Sequence, residues 1–109
     1  MGSYSIQYSD ESLQDLMAIH DYISTDLKSP GVAAAQLKRI RDEIRSLSMF
    51  PKRYKAVEWE PWKSRGMHQM AVDHFIVFYV ADDGRTTVQI IRILYGKRDI
   101  PSLVKNYEQ

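Results

Sequence analysis

The chain contains no cysteine, and this absence removes several classes of function at once. Disulfide scaffolds, thiolate zinc sites and cysteine nucleophiles all require the missing side chain. The absence also suits a reducing compartment, so we expect a cytoplasmic protein. The N-terminus has no basic region followed by an apolar run, and no window of 18 residues is uniformly apolar, so we expect neither secretion nor a membrane span.

Excess charge is also lacking, because 15 Lys or Arg face 14 Asp or Glu and the net charge is only +1. Attraction of the whole protein to nucleic acid or anionic lipid is weak at that charge, so such a partner needs a local patch. Basic residues do cluster, in PKRYK at residues 51–55, in WKSR at residues 62–65 and in RILYGKRD at residues 92–99. These clusters are therefore the first places to look for a binding surface.

Phosphate and metal sites lack their usual patterns. The five glycines are scattered, and none opens a helix after a strand in the way a phosphate loop requires. The three histidines, His20, His68 and His74, have no spacing that places two ligands on one helix face. No serine lies at a strand-to-helix elbow, which argues against a Ser-His-Asp hydrolase. We expect no metal and no cofactor.

Two amphipathic helices are predicted after a short first strand. Residues 4–8 alternate between apolar and polar side chains, as a half-buried strand does. Apolar residues then recur every three or four positions up to residue 27, which predicts a helix of about five turns with Ser9 or Asp10 as its cap. In KSPG, Ser29 can cap the next helix and Pro30 fits its first turn. The short connection predicts an antiparallel helical hairpin.

The second half of the chain changes its period. The segments MHQMAV from residue 67, HFIVFYVA from residue 74 and TTVQIIRILY from residue 86 are rich in β-branched and aromatic residues and predict three strands. Asp73 is expected to turn between the first two, and Asp83-Gly84 to close a hairpin between the last two. Before them, an aperiodic stretch to about residue 65 predicts an ordered loop that Trp59 and Trp62 anchor to the core.

This order predicts one α+β domain over residues 1–109. An N-terminal strand and a two-helix antiparallel hairpin pack on one face of a mainly antiparallel β-sheet. The opposite face of the sheet is then the obvious place for function.

Arg92 lies among apolar residues at the end of the last predicted strand. Simple alternation places it on the same face as Ile90 and Leu94, with Tyr95 on the other. A guanidinium there is costly unless it pairs with an internal carboxylate or extends toward water or a partner, and the sequence leaves both open.

Four chemical types near the ends of the predicted sheet match metal-free RNA cleavage. That reaction needs a base for the 2′-hydroxyl, an acid for the leaving oxygen and cations to stabilise the phosphorane. His68, Tyr95, Lys97 and Arg98 could supply them. The same residue types serve equally well in a docking patch.

Four stretches together resemble the RelE/ParE toxin superfamily: YSIQYSDESLQDLMAIHDYI, AAAQLKRIRDEIRSLSMFP, HFIVFYVADD and IIRILYGKRD. The most specific parts are DL..I.DYI in the first helix, L..FP at the end of the second, VFY in a strand and the R-[IV]-L-[HY]-G-x-R-D terminus. The resemblance covers nearly the whole chain and implies the same order of elements as the one predicted above.

The resemblance implies a toxin of a type II toxin–antitoxin module, of the kind linked to plasmid stabilisation and growth inhibition. A cognate antitoxin holds such a toxin inactive by wrapping a flexible segment across it. The pair commonly represses its own operon, so operator DNA is expected as a partner only through the antitoxin. RelE-like members cleave mRNA in the ribosomal A site, whereas ParE-like members are associated with poisoning DNA gyrase, and fold does not choose between them.

Single residues favour the ParE branch. RelE-like ribonucleases carry an arginine at the start of the central strand, where this chain has Ile76, and lysines on the preceding strand, where it has Met67-His68-Gln69. Arg98 matches the family's arginine after the last strand, but the tyrosine expected some six residues later is Val104. Most of the cationic set that would stabilise a phosphorane is therefore missing.

We expect a ParE-like toxin that binds a macromolecular target such as DNA gyrase. Lys97, Arg98, Lys63 and Arg65 are the expected target- or antitoxin-binding residues. The alternative is a ribosome-dependent, metal-independent mRNA endoribonuclease with Arg98, His68, Tyr95 and Lys97 as catalytic residues. A third hypothesis is an inactive fold member that survives as an antitoxin-binding or operator-binding corepressor.

Overall fold

The computed structural model describes residues 3–96 of the chain. Strand β1 is Ser5–Tyr8, and the two helices that follow it are α1, Asp10–Asp21, and α2, Pro30–Arg45. Strands β2, Met67–Val72, β3, Phe75–Asp82, and β4, Thr87–Tyr95, follow. A π-helical turn, Tyr22–Asp26, extends α1, and 3₁₀ turns at Ser46–Ser48 and Pro51–Arg53 follow α2.

The four strands form one sheet in the order β1-β4-β3-β2. The pairs β2–β3 and β3–β4 are antiparallel, and β1 pairs with β4 in parallel. A parallel neighbour needs a long crossover, and the helical hairpin supplies it. The predicted α+β fold is confirmed.

The two helix starts differ in their caps. The Ser9 hydroxyl accepts a hydrogen bond from the Ser12 N–H at 3.0 Å, as predicted for the first helix. Ser29 caps the second helix only through its backbone, because its carbonyl accepts from the Ala33 N–H while its hydroxyl donates to the Leu27 carbonyl. The predicted side-chain cap is wrong there, because that hydroxyl bonds the preceding turn instead.

The main core lies between the helices and the sheet, and we call it the helix-side core. Its buried members are Leu16, Ile40, Ile44, Leu47, Met70, Val72, Val77, Tyr79, Val88, Ile90 and Ile93. The apolar residues of β1 pack against it, as their alternation predicted. No helix within residues 3–96 is long and apolar enough to cross a membrane.

The opposite face of the sheet is partly covered by the loop that carries Trp59 and Trp62. Trp62 is 2% exposed there and packs with Val57, Met67 and Phe78, while Trp59 meets the Phe78 ring edge-on at 6.3 Å. The tryptophans are therefore loop anchors, as predicted. The expectation that this face is open for function is wrong where the loop lies, because these large apolar side chains need the sheet as their partner.

A β-bulge in β4 changes which side chains share a face. The β3–β4 pairing skips Ile91. As a result Ile90 and Ile93 both belong to the helix-side core, whereas Leu94 packs with the cluster on the opposite face. The prediction that Ile90 and Leu94 share a face is therefore wrong, because the extra residue shifts the alternation by one position.

The burial of Trp62 leads to a stability prediction. We expect Trp62→Ala to lower the free energy of unfolding by about 3–5 kcal/mol, since it removes a buried aromatic ring and leaves a cavity. The neighbouring exposed substitution Lys63→Ala should stay within about 0.5 kcal/mol of the wild type. Urea denaturation followed by tryptophan fluorescence or circular dichroism measures both, and equal losses in the two variants would contradict the anchoring role.

Candidate functional site

A groove of about 820 Å³ opens beside the carboxyl end of β4, between the sheet and α1 with its π-helical turn. We call it the β4 groove. Its lining consists of Asp15, Ala18, Ile19, Tyr22, Ile23, Leu27, Gln36, His74, Phe75, Arg92, Ile93, Leu94 and Tyr95. Most of these side chains are apolar, so the groove is suited to hold an apolar segment rather than a small charged ligand.

One carboxylate fixes the position of α1 beside the groove. Asp15 accepts hydrogen bonds from Arg92 Nε at 2.7 Å, from Arg92 Nη2 at 2.9 Å and from the backbone N–H of Ile93 at 2.9 Å. The pair is largely shielded, with 13% of the Asp15 and 19% of the Arg92 side chain exposed. Of the two alternatives that the sequence left open for Arg92, the structure shows internal pairing.

Asp15 and Ser9 hydrogen-bond to the backbone of β4 beyond the end of β1. Strand β1 ends at Tyr8, opposite Ile90, and within residues 3–96 no strand pairs with this edge of β4 beyond that point. The Ser9 hydroxyl donates to the Ile91 carbonyl, and the Asp15 carboxylate accepts from the Ile93 N–H. Side chains thus satisfy the backbone where the strand pairing stops.

Three large apolar side chains at the groove reach solvent. Tyr22 is 55%, Leu27 54% and Tyr95 40% exposed. Tyr22 is the first residue of the π-helical turn and Leu27 follows its last, and the Leu27 N–H donates to the Tyr22 carbonyl. Tyr95 meets the Phe75 ring edge-on at 5.8 Å. Exposed aromatic and aliphatic groups gathered beside one concavity are typical of a protein-binding surface.

The β2–β3 turn forms the other border of the groove. Asp73 takes a left-handed conformation with φ +55°, as its turn role predicted. Its carboxylate accepts hydrogen bonds from Arg39 and Gln36 of α2. These bonds, with Arg39 as the larger cause, lower the pKa of Asp73 to about 2. The β2–β3 turn also holds the end of β4, because the Gly96 N–H donates to the His74 carbonyl at 2.8 Å.

Gly96 fits a position with little room for a side chain. A Cβ there would lie 3.2 Å from Ile76 Cγ1 and 3.3 Å from the His74 carbonyl oxygen. Lys97 and Arg98, the strongest candidates from sequence, come directly after it and lie outside the described residues. The chain therefore leaves β4 beside the groove at the point from which those two residues follow.

The structure does not bring His68 and Tyr95 together. His68 pairs with Tyr79 across β2–β3, whereas Tyr95 pairs with Phe75 across β3–β4. Those two β3 positions are four residues apart, or about 13 Å along the strand. His68 instead stacks on the Tyr79 ring at 5.7 Å, and burial raises the pKa of Tyr79, whose hydroxyl donates to the Pro51 carbonyl.

Lys63 and Arg65 also lie apart from the β4 groove. Both belong to the segment over the opposite sheet face, where the Arg65 guanidinium stacks on the Trp62 ring at 5.2 Å. Within residues 3–96, no group of three or more His, Asp or Glu side chains is placed to hold a metal ion.

Sequence reasoning missed three residues of the β4 groove, namely Asp15, Tyr22 and Phe75. A buried strand arginine requires a carboxylate, but nothing in the sequence chooses Asp15 among 14 acidic residues.

Breaking the Asp15–Arg92 pair should be costly. We expect Asp15→Asn to lower the free energy of unfolding by about 3 kcal/mol, because it removes a shielded carboxylate that accepts hydrogen bonds from Arg92 and from the Ile93 N–H. Asp42→Asn is a matched control, since Asp42 pairs with Lys38 and Arg45 on the exposed side of α2 and should cost much less. Denaturant titration compares the two, and a small loss for Asp15→Asn would show that the pair does not hold α1.

The low pKa of Asp73 predicts a dependence of stability on acid. Its folded pKa of about 2 lies below the ordinary value of 3.8, so its contribution is present above pH 4 and is lost as the pH falls toward 2. We expect Asp73→Asn to reduce the slope of stability against pH in that window. Denaturation monitored by circular dichroism at several values between pH 5 and pH 2 measures the slope, and identical slopes would contradict the assignment.

Comparison with known proteins agrees with this architecture. The family model for the ParE toxin of the type II toxin–antitoxin system parDE matches residues 6–100. No curated relative matches the chain.

Solved structures of similar fold include three bacterial systems. The chromosomal ParDE system of P. aeruginosa matches with a TM-score of 0.70 and 20% identity, covering 85% of this chain and 96% of that one. The RelBE2 toxin–antitoxin complex of Mycobacterium tuberculosis matches with a TM-score of 0.62 and 22% identity, covering 85% and 98%. The isolated E. coli RelE toxin matches with a TM-score of 0.55 and 11% identity, covering 98% and 100%.

These likenesses agree in the fold, and the family match extends from β1 through the end of β4 and includes every element that forms the groove. The chain belongs to the ParE toxin family of type II toxin–antitoxin systems.

Proposed function

We propose that this chain is the growth-inhibiting toxin of a two-gene module, that a cognate antitoxin neutralises it, and that it acts by binding DNA gyrase. The observation that carries the proposal is the ParE toxin match over residues 6–100. The ParDE and RelBE2 structures, in which toxins of this fold occur with antitoxins, support an antitoxin partner for this chain.

The β4 groove is the surface we assign to the antitoxin. It has a volume of about 820 Å³, it is lined by exposed aromatic and aliphatic side chains, and its borders are held by the Asp15 and Asp73 contacts. We expect a segment that binds in the groove to neutralise the toxin.

A charge introduced into the groove should weaken antitoxin binding. Ala18 is exposed on α1 and lines the groove, so Ala18→Glu buries a carboxylate when an apolar segment docks. We expect the dissociation constant for the purified antitoxin to rise at least tenfold, with little change in thermal stability. Ala34→Glu, on the exposed side of α2 and outside the groove lining, should bind normally. Equal affinities for the two variants, measured by calorimetry, would remove the groove from the interface.

Target binding rather than RNA cleavage is supported by the distribution of the candidate catalytic groups. An acid and a base must flank the same scissile bond within hydrogen-bond reach. His68 lies about 13 Å along the sheet from the position of Tyr95, so the two cannot serve one phosphate in this conformation. Ile76, where RelE-like ribonucleases carry an arginine, packs as an apolar residue.

One experiment separates the gyrase and ribonuclease functions. The toxin is expressed from an inducible promoter in the cytoplasm of a host cell, and DNA supercoiling and mRNA integrity are measured in the same culture. We expect relaxed or cleaved DNA and intact mRNA at the onset of growth arrest. Truncated mRNA with normal DNA would instead assign the ribosome-dependent endoribonuclease. Normal growth would indicate the inactive corepressor.

Arg98→Ala tests the placement of the target contact. We expect it to abolish growth arrest, because Arg98 matches the arginine that toxins of the RelE/ParE superfamily carry after the last strand. Lys28→Ala removes an exposed basic side chain from the connection between the π-helical turn and α2 and is the matched control, which should remain toxic. An Arg98→Ala protein as toxic as the wild type would refute the placement.

A further inference from the structure

Phe50 combines two unfavourable features. Its backbone is left-handed, with φ 51° and ψ 58°, and 76% of the residue is exposed. A left-handed conformation is unfavourable for a non-glycine residue, because Cβ comes too close to the following carbonyl oxygen. An exposed phenyl ring recovers none of that cost through burial. Folding alone would favour Gly or Asn at this position, so the ring calls for another explanation.

The surrounding turn is firmly held, and we call residues 49–53 the Phe50 corner. The Arg53 guanidinium donates to the carbonyls of Ser46, Met49 and Phe50 and to the Ser46 hydroxyl. Pro51 is buried, and its carbonyl accepts from the Tyr79 hydroxyl. The ring therefore projects from a rigid support, which lowers the entropy cost of using it in an interface.

The corner is tied to the sheet as well. Lys52 donates to the Asp83 carboxylate, which also accepts from the Tyr4 hydroxyl at 2.7 Å. These contacts place the corner near the β3–β4 turn, at the opposite end of β4 from the β4 groove. Five residue steps along β4, from Thr87 to Arg92, separate the two regions by about 16 Å. The corner and the groove are thus distinct surfaces.

The charge around the corner is strongly one-sided although the chain as a whole is nearly neutral. Residues 49–55 contain three Lys or Arg and no Asp or Glu. Lys52 is paired with Asp83 from elsewhere in the fold. Arg53 satisfies its donors with carbonyls and a hydroxyl, which leave its positive charge in place. A partner at this corner must bring negative charge.

We infer that the Phe50 corner docks on an acidic surface of the toxin's protein target, with the phenyl ring as its apolar anchor. Aromatic residues, Met and Arg are the types enriched at the centres of protein interfaces, and Met49, Phe50 and Arg53 supply all three. Met49 is itself 51% exposed beside the ring. The inference rests on the proposed function, since it names a second contact with the same target.

The test variant is Phe50→Gly, which relieves the backbone strain while removing the ring. Its melting temperature should equal or exceed that of the wild type, so lost binding cannot be attributed to unfolding. Lys28→Gly is the matched backbone control, because Lys28 is also left-handed, with φ 54°. Val32→Asn is the control for losing an exposed apolar side chain, since Val32 is 59% exposed on α2.

The probes are purified DNA gyrase and the purified antitoxin, each titrated against the full-length toxin. We expect Phe50→Gly to bind gyrase at least tenfold more weakly and to bind antitoxin like the wild type, with both controls unchanged. The wild-type affinity for gyrase should also fall as salt is raised, because the corner meets opposite charge. Normal gyrase binding by Phe50→Gly overturns the inference and leaves the proposed function standing. Failure of the wild type to bind gyrase overturns both the inference and the proposed function, and the wild-type titration distinguishes this outcome from the previous one.

Discussion

The Asp15 carboxylate is the contact on which the functional end of the molecule depends. It accepts three hydrogen bonds from Arg92 and Ile93, and it does so just past the point where β1 stops pairing with β4. The Asp15 side chain therefore accepts a hydrogen bond from the edge of β4, pairs with the charge of Arg92 and holds α1 against the sheet. The β4 groove is the space left beside that contact.

Each border of the β4 groove is held in place by hydrogen bonds to a carboxylate. On one side α1 is fixed by Asp15, and on the other α2 holds the β2–β3 turn through Asp73. That turn binds the Gly96 N–H through the His74 carbonyl, so both helices contribute to where the chain leaves β4.

The elements of this fold were predictable because their patterns are local. Alternating residues 4–8, the three strand segments and the tryptophan anchors all reappear in the structure, since apolar periodicity and large aromatic side chains constrain the chain strongly. The face assignment within β4 was not predictable, because the bulge at Ile91 shifts the alternation without any glycine or proline to signal it.

The site itself was predictable only in part. Tyr95 lines the groove, but the sequence proposed it only as a catalytic group for RNA cleavage. Asp15 could not be identified, because the pairing joins residues 77 positions apart and any surface carboxylate looks the same in sequence. His68 shows the opposite error of sequence reasoning, since a suitable residue type near the sheet was grouped with Tyr95 although the strand register separates them.

Hydrogen exchange of the free toxin and of its antitoxin complex tests the central claim most directly, because it reports on every backbone N–H in one measurement. The account predicts that the antitoxin slows exchange in α1, its π-helical turn and residues 92–96, and leaves residues 49–55 unchanged. Protection confined to residues 49–55, with the α1 and β4 segments exchanging as in the free toxin, would contradict the assignment of the β4 groove.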